Sequence, residues 1–212
     1  MWNLIVATRN AHKTREIQQL LGPEFEVRDL SEYPEISETV ENGESFEENA
    51  KLKAVAVSKK LPGLVIADDS GLEVEVLGGA PGIYSARYAG ARATDKQNMD
   101  KLLEELARIG IKHSQRRARF RCALALACEG QILSIFEGAV EGTIVDRARG
   151  SHGFGYDPIF VPNGFEETFG ELPAGLKNTI SHRARAIRAL RAGLQAGALS
   201  QGFGGGGGAP GG

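Results

Sequence analysis

Two adjacent carboxylates, Asp68 and Asp69, follow the apolar run Leu64–Ala67 and precede Ser70 and Gly71. Paired acids suit a hard divalent cation, because Mg²⁺ prefers oxygen ligands and is commonly held by one or two carboxylates together with substrate phosphates. The same pair also fits an Asx-type turn with solvated side chains. A second group, Thr8-Arg9-Asn10-Ala11-His12-Lys13, separates the apolar run Leu4–Ala7 from a helical pattern. At such a junction the free N–H groups and the helix dipole favour an anion. The GxxxxGK spacing of a P-loop is absent, so these residues also read as a capped surface turn. Ser45, Asn49 and Lys53 step by four and share one helix face, with Glu41 just upstream. They either converge on a ligand or form a solvated stripe.

A glycine-rich loop, Gly150–Pro158, carries His152, Phe154, Tyr156 and Asp157. Its glycines permit close backbone approach, and its aromatic rings offer a stacking face for a planar base or pack into the core. Lys177 and His182 are five residues apart, about 140° on a continuous helix. They face one ligand only if a helix starts between residues 178 and 181 with its N-terminus at the site.

The elements that position these groups follow from apolar periodicity. Leu4–Ala7 and Phe25–Leu30 read as strands, with a helix between them that buries Ile17, Leu20 and Leu21 and stops at Gly22-Pro23. An irregular acidic stretch, Ser31–Glu44, leads to the capping box Ser45–Glu48 and a helix reaching about Lys60. Leu64–Ala67 is a buried strand that ends on the acid pair. Thr94–Gln97 is a second capping box, opening an amphipathic helix with Met99, Leu102, Leu103 and Leu106 inward and Gly110 as its stop. Phe120 to Cys128 alternates as a strand with one strongly apolar face, and Glu129-Gly130 turns it into a partner, Gln131–Phe136. Ile159–Val161 is a further short strand, and a last helix places Ile180, Ala184, Ile187 and Leu194 inward.

Composition sets the class. The 212 residues are 42% hydrophobic and 25% charged, with a formal net charge of −2, ordinary for a soluble globular chain with a substantial core. No global basic field draws it to nucleic acid, and Arg116, Arg117, Arg119 and Arg121 lack interleaved aromatics, so they read as a solvated strand edge. Cys122 and Cys128 form neither a CxxC pair nor a disulfide framework; same-parity spacing makes them small core residues. No apolar run is long enough to span a bilayer and no signal-peptide pattern is present, so the expectation is a cytoplasmic protein without membrane or nucleic-acid partners.

Five segments in order, ATRNAHK (7–13), ESFEENAKLKA (44–54), ADDSGLEVEVLGGAPGIYSARYAG (67–90), GFGYDPIF (153–160) and SHRARA (181–186), closely resemble the inosine triphosphate pyrophosphatase family. The resemblance implies an α/β fold with a long mixed central β-sheet and flanking helices. It implies a single domain over 1–200, two lobes around a substrate cleft, usually as a homodimer; residues 201–212 read as a flexible glycine-rich tail. It also implies Mg²⁺-dependent hydrolysis of ITP, dITP and XTP to the monophosphate and pyrophosphate. By position, Thr8, Arg9, Asn10, Ala11, His12 and Lys13 form the triphosphate loop, with Lys53 beside it. Glu41 and Asp69 match the metal-binding acids, Asp69 also the general base, and Ser70 a substrate contact. Phe154, Gly155, Tyr156 and Asp157 match the base-binding loop, Lys177 another substrate contact, and His182-Arg183 the pair facing the purine 6-oxo edge. Many members carry glycines where this chain has Arg9 and His12, which changes how the loop meets phosphate and adds a cation there. The rival readings are an NTP-cleaving enzyme with other base or product chemistry and a nucleotide sensor without turnover.

Overall fold

The computed structural model describes residues 2–195, so the expected glycine-rich tail lies outside the described residues. In chain order the elements are β1 (Trp2–Val6), α1 (Ala11–Leu21), β2 (Phe25–Asp29), α2 (Phe46–Ser58), β3 (Leu64–Val74), α3 (Asp95–Ile109), β4 (Arg117–Cys128), β5 (Gln131–Ile144), β6 (Phe160–Pro162), α4 (Ala174–Ile180) and α5 (His182–Gln195). The strands form one mixed sheet in the order β2-β1-β3-β4-β5-β6. β1 is parallel to both β2 and β3, and the remaining pairings are antiparallel. This is the expected mixed central sheet with flanking helices. No helix among the described residues is long and apolar enough to cross a membrane.

Local chemistry sets the helix boundaries. The Asn10 side chain accepts from the His12 and Lys13 amides, and Gly22 closes α1 at φ 87°. Ser45 Oγ accepts from the Glu48 amide at 3.1 Å, but the Glu48 carboxylate turns to the Glu44 amide, so only half of that capping box forms. Thr94 and Gln97 form both halves of theirs, and Gly110 ends α3 in the left-handed region.

The expected one-faced strand is buried on both sides. Cys122, Leu124 and Leu126 of β4 pack with Leu4, Val6, Ile187 and Leu190. Ala123, Ala125 and Ala127 on the opposite face meet Ala50, Ala54 and Val57 of α2, where small side chains on both partners allow close approach. A third cluster joins Leu72, Val74 and Phe120 to Leu102, Leu106, Phe160 and Phe169. The apolar packing thus changes partners partway along β3, at residues 68–71.

Several expectations need correction here. β3 does not end at the acid pair, and no Asx turn forms. Its antiparallel ladder with β4 runs unbroken from Val65 opposite Ala127 to Val74 opposite Ala118. What stops is β1, whose pairing with β3 ends at Val6 opposite Ile66. The acids therefore stand where the parallel pairing gives out, beside an opening, on a strand held along its other edge. β4 is an interior strand, so its arginines are not on an edge: Arg119 and Arg121 pair with Glu73 of β3, and Arg121 also with Glu137 of β5. β5 extends to Ile144 rather than Phe136. The last helix is two helices, broken where Ser181 adopts ψ 160°.

Candidate active site

Period-two geometry divides the acid pair between the two faces of the sheet. Asp68 lies opposite Leu124 and Asp69 opposite Ala123, and their partners follow those faces. Asp68 meets Lys13 of α1 and Arg183 of α5, whereas Asp69 meets Lys53 of α2.

Asp68 is completely enclosed. Its Oδ1 accepts from Lys13 Nζ at 2.5 Å and Ser70 Oγ at 3.1 Å; its Oδ2 accepts from Arg183 Nε at 3.0 Å and the Cys122 thiol at 3.1 Å. Burial opposes its charge, but Arg183 and Lys13 outweigh that and hold the carboxyl well below the usual range. Cys122 is therefore a buried core residue, as expected, and also a donor to this carboxylate; burial and Asp68 keep it a thiol.

Asp69 behaves differently. Its Oδ1 is 3.3 Å from Lys53 Nζ, while its Oδ2 is buried with no hydrogen-bond partner. Burial, partly offset by Lys53 and Lys13, pushes its carboxyl pKa up. Lys53 Nζ also donates to Glu41 Oε1 at 2.7 Å and to the Asp68 carbonyl at 2.8 Å. Burial works against its charge, yet Asp69 and Glu41 raise its pKa. The stripe Ser45-Asn49-Lys53 is thus an inward face at its last two positions, with Asn49 and Lys53 buried. Arg87, from the 3₁₀ segment Gly82–Arg87, reaches Glu41 Oε2 at 3.3 Å.

At the other end, Lys177 Nζ donates to Glu16 Oε1 at 2.6 Å and Asp157 Oδ2 at 2.7 Å. Glu16 also binds Arg183 Nη1, and Arg183 Nη2 donates to Ser70 Oγ at 2.8 Å. Asp157, Lys177, Glu16, Arg183, Asp68 and Lys13 thereby form an alternating chain of charges along the cleft floor. Phe154 stands beside it, with Lys177 Nζ 5.1 Å and Arg183 Cζ 5.6 Å from its ring centre. The Phe154 amide donates to Asp157 Oδ2 at 2.8 Å and the Gly155 amide to Asp95 Oδ2 at 2.7 Å, which fixes the loop. Tyr156 points into the core and donates to the Ser85 carbonyl at 2.8 Å. His182 stacks on Phe120 at 4.9 Å and 10°. Gly138 admits the start of α5, because a Cβ there would lie 2.1 Å from the His182 carbonyl oxygen.

Burial, reinforced by Arg183 and Lys177, drives the His182 pKa well below the ordinary histidine value. The folded state therefore leaves this imidazole neutral where the unfolded chain protonates it, below about pH 6.5. The unfolded state binds the extra proton, so stability falls as pH drops through that range, with a slope approaching about 1.4 kcal/mol per pH unit. Asp69 and Asp157, raised by burial, act in the opposite sense at lower pH. Their shared contribution cancels in a difference: His182→Asn should show a flatter loss of melting temperature between pH 6.5 and 5 than wild type. Parallel slopes would refute the buried-neutral assignment.

The cleft has a narrow end of ≈ 170 Å³ lined by Asp69, Ser70, Phe154, His182 and Arg183. It shares Asn10, Lys13, Glu41 and Arg87 with a wider end of ≈ 830 Å³ that adds Thr8, Arg9 and Lys53. Thr8, Asn10, Lys13, Glu41, Lys53, Asp69, Ser70, Phe154, Gly155, Tyr156, Asp157, Lys177, His182 and Arg183 thus share one cleft. Ala11 contributes the first turn of α1. Two residues depart from the expected role: Arg9 lines the wide end but does not offer its charge to it. The Arg9 guanidinium turns back to the carbonyls of Leu30, Tyr33 and Ile36, clamping the following loop, and His12 lines neither end. Glu16, Arg87, Asp95 and Cys122 escaped the sequence reading. Glu16 gave no local signal, because its partners Lys177 and Arg183 lie 161 and 167 positions further along the chain.

Among the described residues no group of three or more His, Cys, Asp or Glu is arranged around a metal. Glu41 and Asp69 nevertheless converge on a positive charge, and Asp69 Oδ2 is an orphaned buried oxygen. Two carboxylates completed by phosphate oxygens match the donor set of Mg²⁺.

A mixed sheet whose cleft joins a cation-rich wide end to a narrow aromatic end defines an α/β protein built for a polyanion carrying a planar group. The Ham1 family profile matches residues 4–193, and the chain belongs to that family. It is 48% identical over 193 residues to a dITP/XTP pyrophosphatase of Bacillus licheniformis, covering 91% of this chain and 97% of the relative. It is 48% identical to the Bacillus subtilis dITP/XTP pyrophosphatase, with 92% and 98% covered. The solved Coxiella burnetii HAM1 protein superposes with a TM-score of 0.82 at 38% identity, covering 92% of this chain and 100% of that one. The Staphylococcus aureus Ham1 protein gives 0.80 at 40%, with 92% and 98% covered.

Proposed function

We propose that this protein hydrolyses purine nucleoside triphosphates with a 6-oxo base, dITP, XTP and ITP, to the monophosphate and pyrophosphate. The observation that carries this reading is Asp69, a buried carboxylate with one unpartnered oxygen, set between the lysines of the wide end and the aromatic narrow end. Lys13 and Lys53 offset the triphosphate charge, and the positive end of the α1 dipole adds to them. Asp69 orients or deprotonates the water that attacks the α-phosphorus, and pyrophosphate leaves in line. Glu41 and Asp69 would hold Mg²⁺, which supplies charge neutralisation at the phosphates. His182 and Arg183 line the narrow end, where a 6-oxo acceptor would be matched by their donors and a 6-amino donor would leave buried groups unpaired.

Chromatography of products from XTP, dITP, GTP and ATP with Mg²⁺ tests this. Monophosphate plus pyrophosphate from XTP and dITP, with ATP nearly untouched, is expected. Diphosphate plus orthophosphate would move the attack to the γ-phosphorus, and binding without turnover would leave a sensor.

Lys53 also neutralises Glu41 and Asp69 internally. Lys53→Met should therefore bind Mn²⁺ without nucleotide at least ~10-fold more tightly than wild type. Like charges about 4 Å apart repel by about 4 kcal/mol at an effective dielectric of 20, a ceiling of about 10³-fold that solvent screening in the cleft lowers. Electron paramagnetic resonance of free Mn²⁺ reads this, and equal or weaker binding would argue against a site shared by the two acids.

A further inference from the structure

We propose that His12 is a positioning residue that braces the base loop from outside the cleft, tying phosphate binding to base binding. The inference rests on the function proposed above and deepens it. His12 and Phe154 stack with ring centres 5.7 Å apart and planes 28° from parallel. One ring belongs to the loop that starts α1, the other to the loop that ends in Asp157. His12 lines neither end of the cleft, whereas its neighbours Asn10 and Lys13 line both. A histidine in this loop would serve phosphate directly if its ring entered that space; its ring goes to Phe154 instead.

Both sides of the contact are held. Asn10 Oδ1 accepts from the His12 amide at 2.9 Å, fixing the backbone that carries the imidazole, and Arg15 Nη2 lies 3.5 Å from His12 Nδ1. The Phe154 backbone is fixed by Asp157 and Asp95 through its own and the next amide. Gly153, at φ 75°, allows no side chain, since a Cβ would meet Asp157 Oδ2 at 2.0 Å. The Phe154 ring itself has no hydrogen bond to orient it, so its position depends on the rings and cations around it. His12 is the aromatic member of that set contributed by the phosphate loop. The loop that carries Asn10 and Lys13 to the phosphates therefore also sets the ring of Phe154, and the base meets a ring already in place.

Steady-state kinetics with XTP, together with inhibition by inorganic tripolyphosphate, which has no base, test this in His12→Ala, His12→Phe and His12→Lys. His12→Ala should raise KM for XTP about three- to tenfold, the worth of one aromatic pair, with kcat and the tripolyphosphate inhibition constant unchanged. His12→Phe should restore KM and His12→Lys should not. An unchanged KM in His12→Ala overturns the inference. So does weaker tripolyphosphate inhibition in His12→Ala that His12→Lys restores, which would make His12 a phosphate contact. Absence of XTP turnover by the wild-type protein would instead remove the functional reading itself, before any variant is compared.

Discussion

Asp69→Asn is expected to fold as wild type does and to lose kcat by about 10²–10⁴-fold, the usual worth of a general base. The fold should survive because Asp69 is only one of three acceptors around Lys53. Glu41 and the Asp68 carbonyl stay in place, so the ammonium is not left unpaired. The asparagine matches the carboxylate in size and leaves the β3–β4 ladder untouched. What disappears is the basic oxygen that has no protein partner and the charge that, with Glu41, would hold the metal. Matched melting curves alongside single-turnover rates separate these effects. A variant that keeps near wild-type kcat would sink the assignment of Asp69.

Arg183→Ala is expected to fail in a different way, through stability. Its side chain is 2% exposed and binds Asp68, Glu16 and Ser70. Removing it leaves two buried carboxylates short of a partner, a change that costs about 3–5 kcal/mol for a broken buried pair. For a chain of this size that corresponds to a fall in melting temperature on the order of 10 °C. Urea unfolding measures the loss directly, and a cost below about 1 kcal/mol would show that the charge chain along the cleft floor is not structural. The selectivity expected of Arg183 is therefore better tested with Arg183→Lys, which retains the charge but not the planar fork. The ratio of kcat/KM for XTP over ATP should fall in that variant; an unchanged ratio counts against its role at the 6-oxo edge.

The elements were legible where apolar periodicity and caps agree. Gly22, Thr94 and Gly110 mark helix ends that the structure reproduces, whereas the Asn10 cap of α1 was read only as part of an anion-binding loop. The end of β3 was misplaced for a physical reason. Two charged residues look like a strand terminus because isolated charges are costly to bury, yet here each has a cation brought from a distant helix. Lys13 lies 55 positions before Asp68 and Arg183 115 positions after it. No local signal announces such pairing, and only the resemblance to a known family placed these residues in one cleft. Glu16 and Cys122 were missed on the same ground, since both act on charges that come from elsewhere in the chain. Arg9 could not be placed from its neighbours, because its three carbonyl partners lie in a loop with no periodic pattern.

The division of Asp68 and Asp69 between opposite faces of β3 makes the strand's parity a functional quantity. A single inserted or deleted residue between Leu64 and Ala67, if β1 and β4 kept their register upstream, would turn each acid to the opposite face of the sheet, Asp69 from the side of α2 to the side of Arg183 and Asp68 the other way. Each carboxylate would then take its pKa from its new surroundings, because Arg183 and Lys13 are what depress Asp68 and burial is what raises Asp69. A two-residue change would restore the faces but carry both acids about 6.6 Å along β3, out of reach of Lys53, Lys13 and Arg183, so the segment tolerates no change of length that keeps both sets of ion pairs.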